Sequence, residues 1–375
     1  MQLVLDPEQR ELRASIRKFL SDQAPPAKVR AAMESEPGYD RELWRRMAVE
    51  LGLLGLPISE EFGGAGAGHV ERAIVQEELG RALVPSPFLG SAVLATDALV
   101  ALGDKEANAE LLPAMAAGEL IAGVAVAEGG GAWDRSGGAT TASRADGSDG
   151  WVLDGTKTAV VAGDVADVLL VYASGTDGPG WFRVAAGANP AEGLSRTTLT
   201  TLDPTRRLAR IAFTGTPATR LTGADPVRVL DLVADLGGVA LAAEQLGGLE
   251  RAMQMTVEYA KVRVQFGRPI GSYQAVKHGC ADVYCDWELG LSALRFASWA
   301  ADHDREQLPV AAALAQSYLG PAYFQAATSA VQYHGGIGYT WEHDAHLYYK
   351  RAKSTELLFG PASAQRARLA DRLGI

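Results

Sequence analysis

The stretch DPVRVLDLVADLGGVALAAEQLGGLERAMQMTVEYAKVRVQFG, residues 225–267, reads as one long helix with a marked start and a marked stop. Asp225 is placed to cap it, and Pro226 occupies a first turn where a missing N–H costs nothing. Leu230, Val233, Leu236, Val239, Ala243, Leu246 and Leu249 then recur along one side, the repeat of a helix with a buried face. The pattern runs to about Val264 and breaks at FGRPIG (266–271). A second long helix follows from Gln274, and a third from about Val310 to Tyr333. HGGIG (334–338) interrupts, and a short basic helix closes the chain. Long helices joined by short breaks predict a four-helix-bundle-like domain over residues 225–375.

Upstream the texture changes twice. Over residues 121–224, short apolar runs (Gly123–Ala127, Trp151–Leu153, Val168–Tyr172 and Leu208–Phe213) alternate with turn-rich segments such as ADGSDG (145–150) and SGTDGPG (174–180). That alternation predicts a middle β-sandwich or barrel. No Gly-x-Gly-x-x-Gly opens a helix there, so a Rossmann dinucleotide site is not expected. Residues 1–120 read as a helical domain. Asp6-Pro7-Glu8 is a helix start, followed by Leu12, Ile16, Phe19 and Leu20 at helical spacing. A second helix spans about Arg41–Leu53 and stops at Gly52 and Gly55. An irregular stretch, Leu56–Gly68, leads to a helix over Val70–Leu83 with Glu77 and Glu78 on its polar side. The fold class is therefore α+β, with three domains in the order α, β, α.

The chain has 375 residues, 47% of them hydrophobic, enough for a large core without covalent staples. A formal net charge of -10 argues against non-specific nucleic-acid binding and against docking on an anionic membrane. The two cysteines, Cys280 and Cys285, form no Cys-x-x-Cys pair, so a disulfide framework or cysteine-rich zinc site is excluded. They read as reduced thiols of a cytoplasmic protein. No run reaches the ~18 apolar residues a membrane span needs. MQLVLDPEQRELR, at the start, carries charge where a signal peptide needs an apolar stretch.

Few residues suggest chemistry on their own. Gly335, Gly336 and Gly338, preceded by Gln332, form a glycine loop between helices: either a close backbone approach to a ligand or a plain helix break. Arg263 and Phe266, before Gly267, pair a cation with an aromatic ring. They could meet a pyrophosphate and a ring system, or simply favour a helix C-terminus. His334, His343 and His346 lack ordered metal-ligand spacing. Gly-x-Ser-x-Gly is absent, so a Ser/His/Asp hydrolase is unsupported.

Taken together, GLLGLPISEEFGGAGAG (52–68), DGWVLDGTKTAVVAG (149–163), YAKVRVQFGRPIGSYQAVKH (259–278) and VQYHGGIGYTWEHDAHLYYKRAK (331–353) resemble the acyl-CoA dehydrogenase family along nearly the whole chain. The resemblance implies the same α/β/α order and FAD bound between the middle and C-terminal domains across a subunit interface. It implies dehydrogenation of an acyl-CoA thioester at Cα and Cβ, with a glutamate as general base and an electron-transfer flavoprotein as electron acceptor. Arg263, Phe266, Gln332, Gly335 and Gly336 match positions that reach FAD held mainly by the neighbouring subunit.

The departures are as informative. The family's two usual positions for the base are here Phe359 and Gly237, neither of which takes a proton. Gly238 stands where an arginine is common, and Gly237 with Gly238 hints at room for a bulky, branched or ring-bearing acyl group. The middle-domain motif Thr-Glu-Pro-x-x-Gly-Ser-Asp reads Ala127-Glu128-Gly129-Gly130-Gly131-Ala132-Trp133-Asp134, so two hydroxyls that meet the chain's own flavin are gone. Trp133 could fill that space or stack against a cofactor. Ala159-Val160-Val161 replaces Trp-Ile-Thr along the flavin ring. Contacts to a neighbour's FAD are kept while contacts to the chain's own are lost. That pattern matches the non-catalytic partner in a heteromeric member of the family, ahead of a self-sufficient homo-oligomer. A cofactor-free scaffold and a flavin oxidase or monooxygenase are the alternatives. Glu244, seven residues after Gly237 on an apolar face, is either a relocated catalytic base or a buried structural carboxylate. Glu356 is a weaker candidate.

Overall fold

The computed structural model describes residues 3–129, 131, 133–145 and 150–375. The chain divides into two compact units, one of residues 1–31, 69–84 and 238–375, the other of residues 32–68 and 85–237. Helices occupy the N-terminal region: α1 (Pro7–Gln23), α2 (Pro26–Glu34), α3 (Arg41–Val49), α4 (His69–Arg81), α5 (Thr96–Leu102) and α6 (Lys105–Ala116). Strands β1 (Ala122–Ala125), β2 (Thr141–Arg144), β3 (Trp151–Val161), β4 (Val168–Gly175), β5 (Gly178–Ala185), β6 (Leu194–Thr198) and β7 (Leu208–Arg220) follow. Then come α7 (Pro226–Val262), the small hairpin β8 (Val264–Gln265) and β9 (Arg268–Pro269), α8 (Gln274–His303), α9 (Leu308–His334), α10 (Ala345–Leu357) and α11 (Ala362–Leu373).

The helical unit is built on α7 from Gly238 onward, α8 and α9, with α1, α4, α10 and α11. Small residues dominate its core: Ala242, Ala243, Leu246 and Leu249 of α7, Leu294 and Ala297 of α8, and Leu319, Ala326 and Ala330 of α9 are all at most 1% exposed. Alanine and glycine let helix backbones approach closely. A methyl on Gly247 would overlap the Glu77 carbonyl oxygen, and one on Gly80 the Glu244 carbonyl, so α4 crosses α7 backbone to backbone. That crossing reverses the amphipathic reading of α4. Glu77 and Glu78 are not solvated but 1% exposed each. Arg295 of α8 sits 2.6 Å from Glu77, and Arg17 of α1 donates to Glu78 at 2.7 and 2.8 Å. Carboxylates this deep stay because arginines from two other helices meet them, a pairing that periodicity along α4 cannot reveal. Burial pushes the Glu77 carboxyl up, against the pull of Arg295 and Arg13.

The β unit closes on itself. The strand order is β1-β4-β2-β3-β7-β5, β5 pairs back onto β4, and β6 lies along β7. Trp151, Leu153, Leu169, Val171, Phe182, Val184, Ile211 and Phe213 fill its interior. Each such fully buried side chain contributes ~1.5–3 kcal/mol of hydrophobic stabilisation. SGTDGPG becomes the β4–β5 hairpin, with Gly175 opposite Gly178. ADGSDG falls largely on residues outside those described. The run read as Trp151–Leu153 continues to Val161, and β2, β5 and β6 lie beyond the four runs named from sequence.

The chain ends in two helices rather than one. Phe359 (φ 65°) and Gly360 (φ 102°) turn the backbone left-handed after α10, and Pro361 precedes α11. A left-handed pair followed by proline cannot continue a helix. No helix among the described residues is long and apolar enough to cross a membrane.

Candidate functional site

In the β unit, the segment starting at Ala127 is fastened by one ion pair. Lys157, fully buried, donates to Glu128 at 2.7 Å and to the Gly137 carbonyl at 3.0 Å. Glu128 also accepts from the backbone N–H groups of Ala139 and Thr140 at 2.7 and 2.9 Å. Partial burial works to raise the Glu128 carboxyl, but Lys157 and these donors overcome it and hold the group at about 2. Burial draws the Lys157 ammonium below its ordinary value, partly offset by Glu128. The pair could have been found in the sequence. Alternation from Trp151 and Leu153 puts Lys157 on the inward face of β3, where an amine needs a carboxylate.

Beside this clamp lies a cleft of about 650 Å³, lined by Val126, Glu128, Gly129, Asp134, Thr156, Thr158 and Arg210 among others. Trp133 is half-buried, and Gly130 and Ala132 lie outside the described residues. Ala159 stands at φ 52° where the β3–β7 register slips between Lys157 and Val160. Such a bulge re-aims side chains, and here it turns Val160 and Val161 into the core, 1% and 4% exposed. Where the resemblance expects hydroxyls facing the chain's own flavin, this unit has Ala127, Trp133 and Val161.

In the helical unit, the ligand-facing candidates gather at one end. Arg263 follows α7 and is exposed. Gln265 pairs with Arg268 across a two-residue turn whose central residues, Phe266 (φ 52°) and Gly267 (φ 78°), are both left-handed. This is a type I′ hairpin, and Phe266 is an unusual residue for it. Its ring is 93% exposed. The sequence predicts a helix end here; the two-residue spacing before Arg268 is the hairpin signal.

Tyr259, one turn before Arg263, stacks on His334 with ring centroids 4.4 Å apart. That contact ties the end of α7 to the end of α9, where Gln332 is exposed and Gly335 and Gly336 open the loop. A methyl built on either glycine meets nothing within 4 Å, so the loop is an open cradle and not a packing device. His334 donates from Nδ1 to the Ala330 carbonyl at 2.7 Å, and its ring lies 4.3 Å from that of His343. Burial lowers both rings below the ordinary imidazole value, and His346 to about 4. An exposed aromatic plane, a cation and an open glycine backbone are the elements that can meet a ring-bearing, phosphorylated ligand.

The carboxylates sit elsewhere. Glu244 is 4% exposed, with Arg351 Nε 3.6 Å from Oε1. It lies fifteen residues before Tyr259, about 22 Å along α7 at the rise of a helix. Glu356 pairs with Lys353 at 2.8 Å. Phe359 is half-buried, and its carbonyl accepts from Gln365 Nε2 at 2.8 Å. Gly237 and Gly238 are both buried. A methyl on Gly238 would lie 3.2–3.5 Å from the Gln316 carboxamide, the end of a flexible side chain.

Residues 6–119 match the family model described as acyl-CoA dehydrogenase, N-terminal domain, and residues 233–374 the one described as acyl-CoA dehydrogenase, C-terminal domain. The chain is 40% identical over 362 residues to the acyl-CoA dehydrogenase IpdE2 of Mycobacterium tuberculosis, covering 96% of each. It is similar to a chain of the ChsE4-ChsE5 complex from Mycobacterium tuberculosis, with a TM-score of 0.89 and 32% identity over 100% of this chain and 99% of that one. It is also similar to a variant of the Tcur3481-Tcur3483 steroid ACAD, with a TM-score of 0.87 and 35% identity over 98% of each. With both terminal domains matched in order and a relative 40% identical along almost its whole length, this chain belongs to the acyl-CoA dehydrogenase family, whose members are FAD-dependent oxidoreductases.

Proposed function

We propose that this chain is the flavin-completing subunit of a heteromeric acyl-CoA dehydrogenase. It presents Arg263, Phe266, Gln332, Gly335 and Gly336 to an FAD held chiefly by a related partner chain. The observation that carries this reading is the outward-facing set at one end of the helical unit, above all Phe266, 93% exposed on a left-handed turn. A strained, exposed aromatic is kept where something covers it. A flavin held there would supply the acceptor for the hydride leaving the β carbon of the acyl thioester. Arg263 supplies a bidentate donor for a phosphoryl oxygen, Phe266 an apolar face for a ring, and Gly335 and Gly336 leave the backbone approachable.

The general base comes from the partner on this reading. Phe359 and Gly237 carry no proton acceptor, and Glu244 faces Arg351 within the bundle. We assign Glu244 the structural role. The acyl group is bulky and ring-bearing; the solved relative described as a steroid ACAD supports this. Electrons leave to an electron-transfer flavoprotein, in the cytoplasm.

The visible absorption spectrum tests the assignment. The chain purified alone is expected to be colourless, and co-expressed with a second family chain it is expected to yield a yellow complex that bleaches on anaerobic addition of acyl-CoA. A chain that is yellow alone and bleaches alone would sink the partner reading and return Glu244 as a base. An assembly with no flavin at all would leave a scaffold.

A further inference from the structure

Helix α10 is fastened to the rest of the helical unit along one polar line. Its N-cap residue, Asp344, accepts from Arg30 Nη2 of α2 at 2.6 Å. One turn on, the Tyr348 hydroxyl donates to the Arg81 carbonyl of α4 at 2.7 Å. Arg351 meets Glu244 of α7 at 3.6 Å, and the Thr355 carbonyl accepts from Gln245 Nε2 at 3.1 Å. Positions 344, 348, 351 and 355 fall at i, i+4, i+7 and i+11, a single face of a helix. Tyr348, Arg351, Thr355, Glu244 and Gln245 are all buried.

Apolar helix faces tolerate small rotations and slides; the hydrogen bonds at Asp344, Tyr348 and Thr355 are directional, and the Glu244–Arg351 charges at 3.6 Å attract only while α10 keeps its rotation. A shift of one residue turns a helix by about 100° and carries every partner on this line out of reach. A buried ion pair in such a seam contributes little net stability but specifies register. The two ends of α10 are also the two places of interest. The open Gly335–Tyr339 loop precedes it, and the left-handed turn at Phe359 and Gly360 follows it.

We propose that Glu244 and Arg351 are positioning residues: their buried pair sets the rotation and register of α10 and so places the glycine loop at one end and the Phe359 turn at the other. What those turns meet rests on the function proposed above; the placement itself does not.

The test compares wild type with Glu244→Leu/Arg351→Leu, which replaces both members of the pair by apolar groups. Melting temperature and amide hydrogen exchange are read on the chain, and flavin content on its co-expressed assembly. The double variant is expected to melt no lower than wild type while exchange at residues 335–344 and 357–361 speeds about tenfold or more, as local openings do when a specific constraint is lost. Flavin content of the assembly is expected to fall with it. Unchanged exchange at both turns overturns the proposal. So does faster exchange spread evenly over the unit with a lower melting temperature, since that is a merely structural role. Loosened turns in an assembly that never held flavin, even as wild type, would uphold the positioning and reject the flavin reading. Should the double variant not fold, Glu244→Gln, which keeps shape and removes charge, is read for the same selective loosening, with the same outcomes deciding.

Discussion

Lys157 shows how one residue constrains a site it does not line. A fully buried ammonium is tolerable only because Glu128 reaches it at 2.7 Å, and in reaching it Glu128 pins the Ala139 and Thr140 backbone. Removing the carboxylate alone leaves an uncompensated buried cation. Glu128→Ala is expected to lower the unfolding free energy by about 3 kcal/mol, and Glu128→Ala/Lys157→Met to recover most of it, as denaturant titration reads. The pH dependence has a definite sign. The folded-state carboxyl sits at about 2 against an ordinary 4.5. Its contribution is therefore fully present above pH ~4.5 and fades as pH falls toward ~2. The stability gap between wild type and Glu128→Gln is expected to shrink as pH falls below ~4.5. A gap that widened on acidification would reject this account.

At the scale of elements, the α4–α7 crossing rests on absent side chains. Gly80 and Gly247 each abut a carbonyl of the other helix, and neither has space for a methyl. A leucine-lined crossing would hold the helices several ångströms further apart. Glu77 would then lose the geometry that brings Arg295 to 2.6 Å. Gly247→Ala, although alanine is the better helix former, is expected to destabilise the chain by about 2 kcal/mol or more in thermal or denaturant unfolding. A neutral or stabilising result would mean the crossing yields at little cost.

At the scale of the whole molecule, the chain carries apolar surface it does not cover. Val262, Val264 and Phe266 are 73%, 53% and 93% exposed around one hairpin, and Tyr339 and Trp341 are 81% and 60% exposed after the glycine loop. Single exposed apolar residues are ordinary; a clustered set on a strained turn is the mark of an interface. Phe266→Asn creates Asn-Gly, the preferred pair for a type I′ turn. It is expected to leave the isolated chain as stable as wild type, or up to about 1 kcal/mol more so, and to weaken association with the partner chain or its flavin by at least ~10-fold. Melting curves read the first effect, and titration of the partner chain the second. Equal affinity in the variant would remove Phe266 from the interface.

Much of this is legible in the sequence. The α, β, α order, the start of α7 at Pro226 and the break after it follow from periodicity and caps, which act over a few residues and so are written locally. The acyl-CoA dehydrogenase resemblance was legible for a similar reason, because glycine loops and helix-ending motifs are short and contiguous. What the tertiary structure decided involves partners far apart in the chain. Glu77 and Glu78 looked solvated because α4 alone has a polar face; only the arrival of Arg17 and Arg295 makes burial tolerable. The neighbour of Gly238 is likewise set by the fold, which brings the Gln316 carboxamide of α9 beside it. Glu244 could be read as a base or a strut, and the residue that faces it, Arg351, lies on another helix. A sequence specifies its own backbone preferences directly, but the cost of burying a charge depends on what stands opposite, and packing alone determines that.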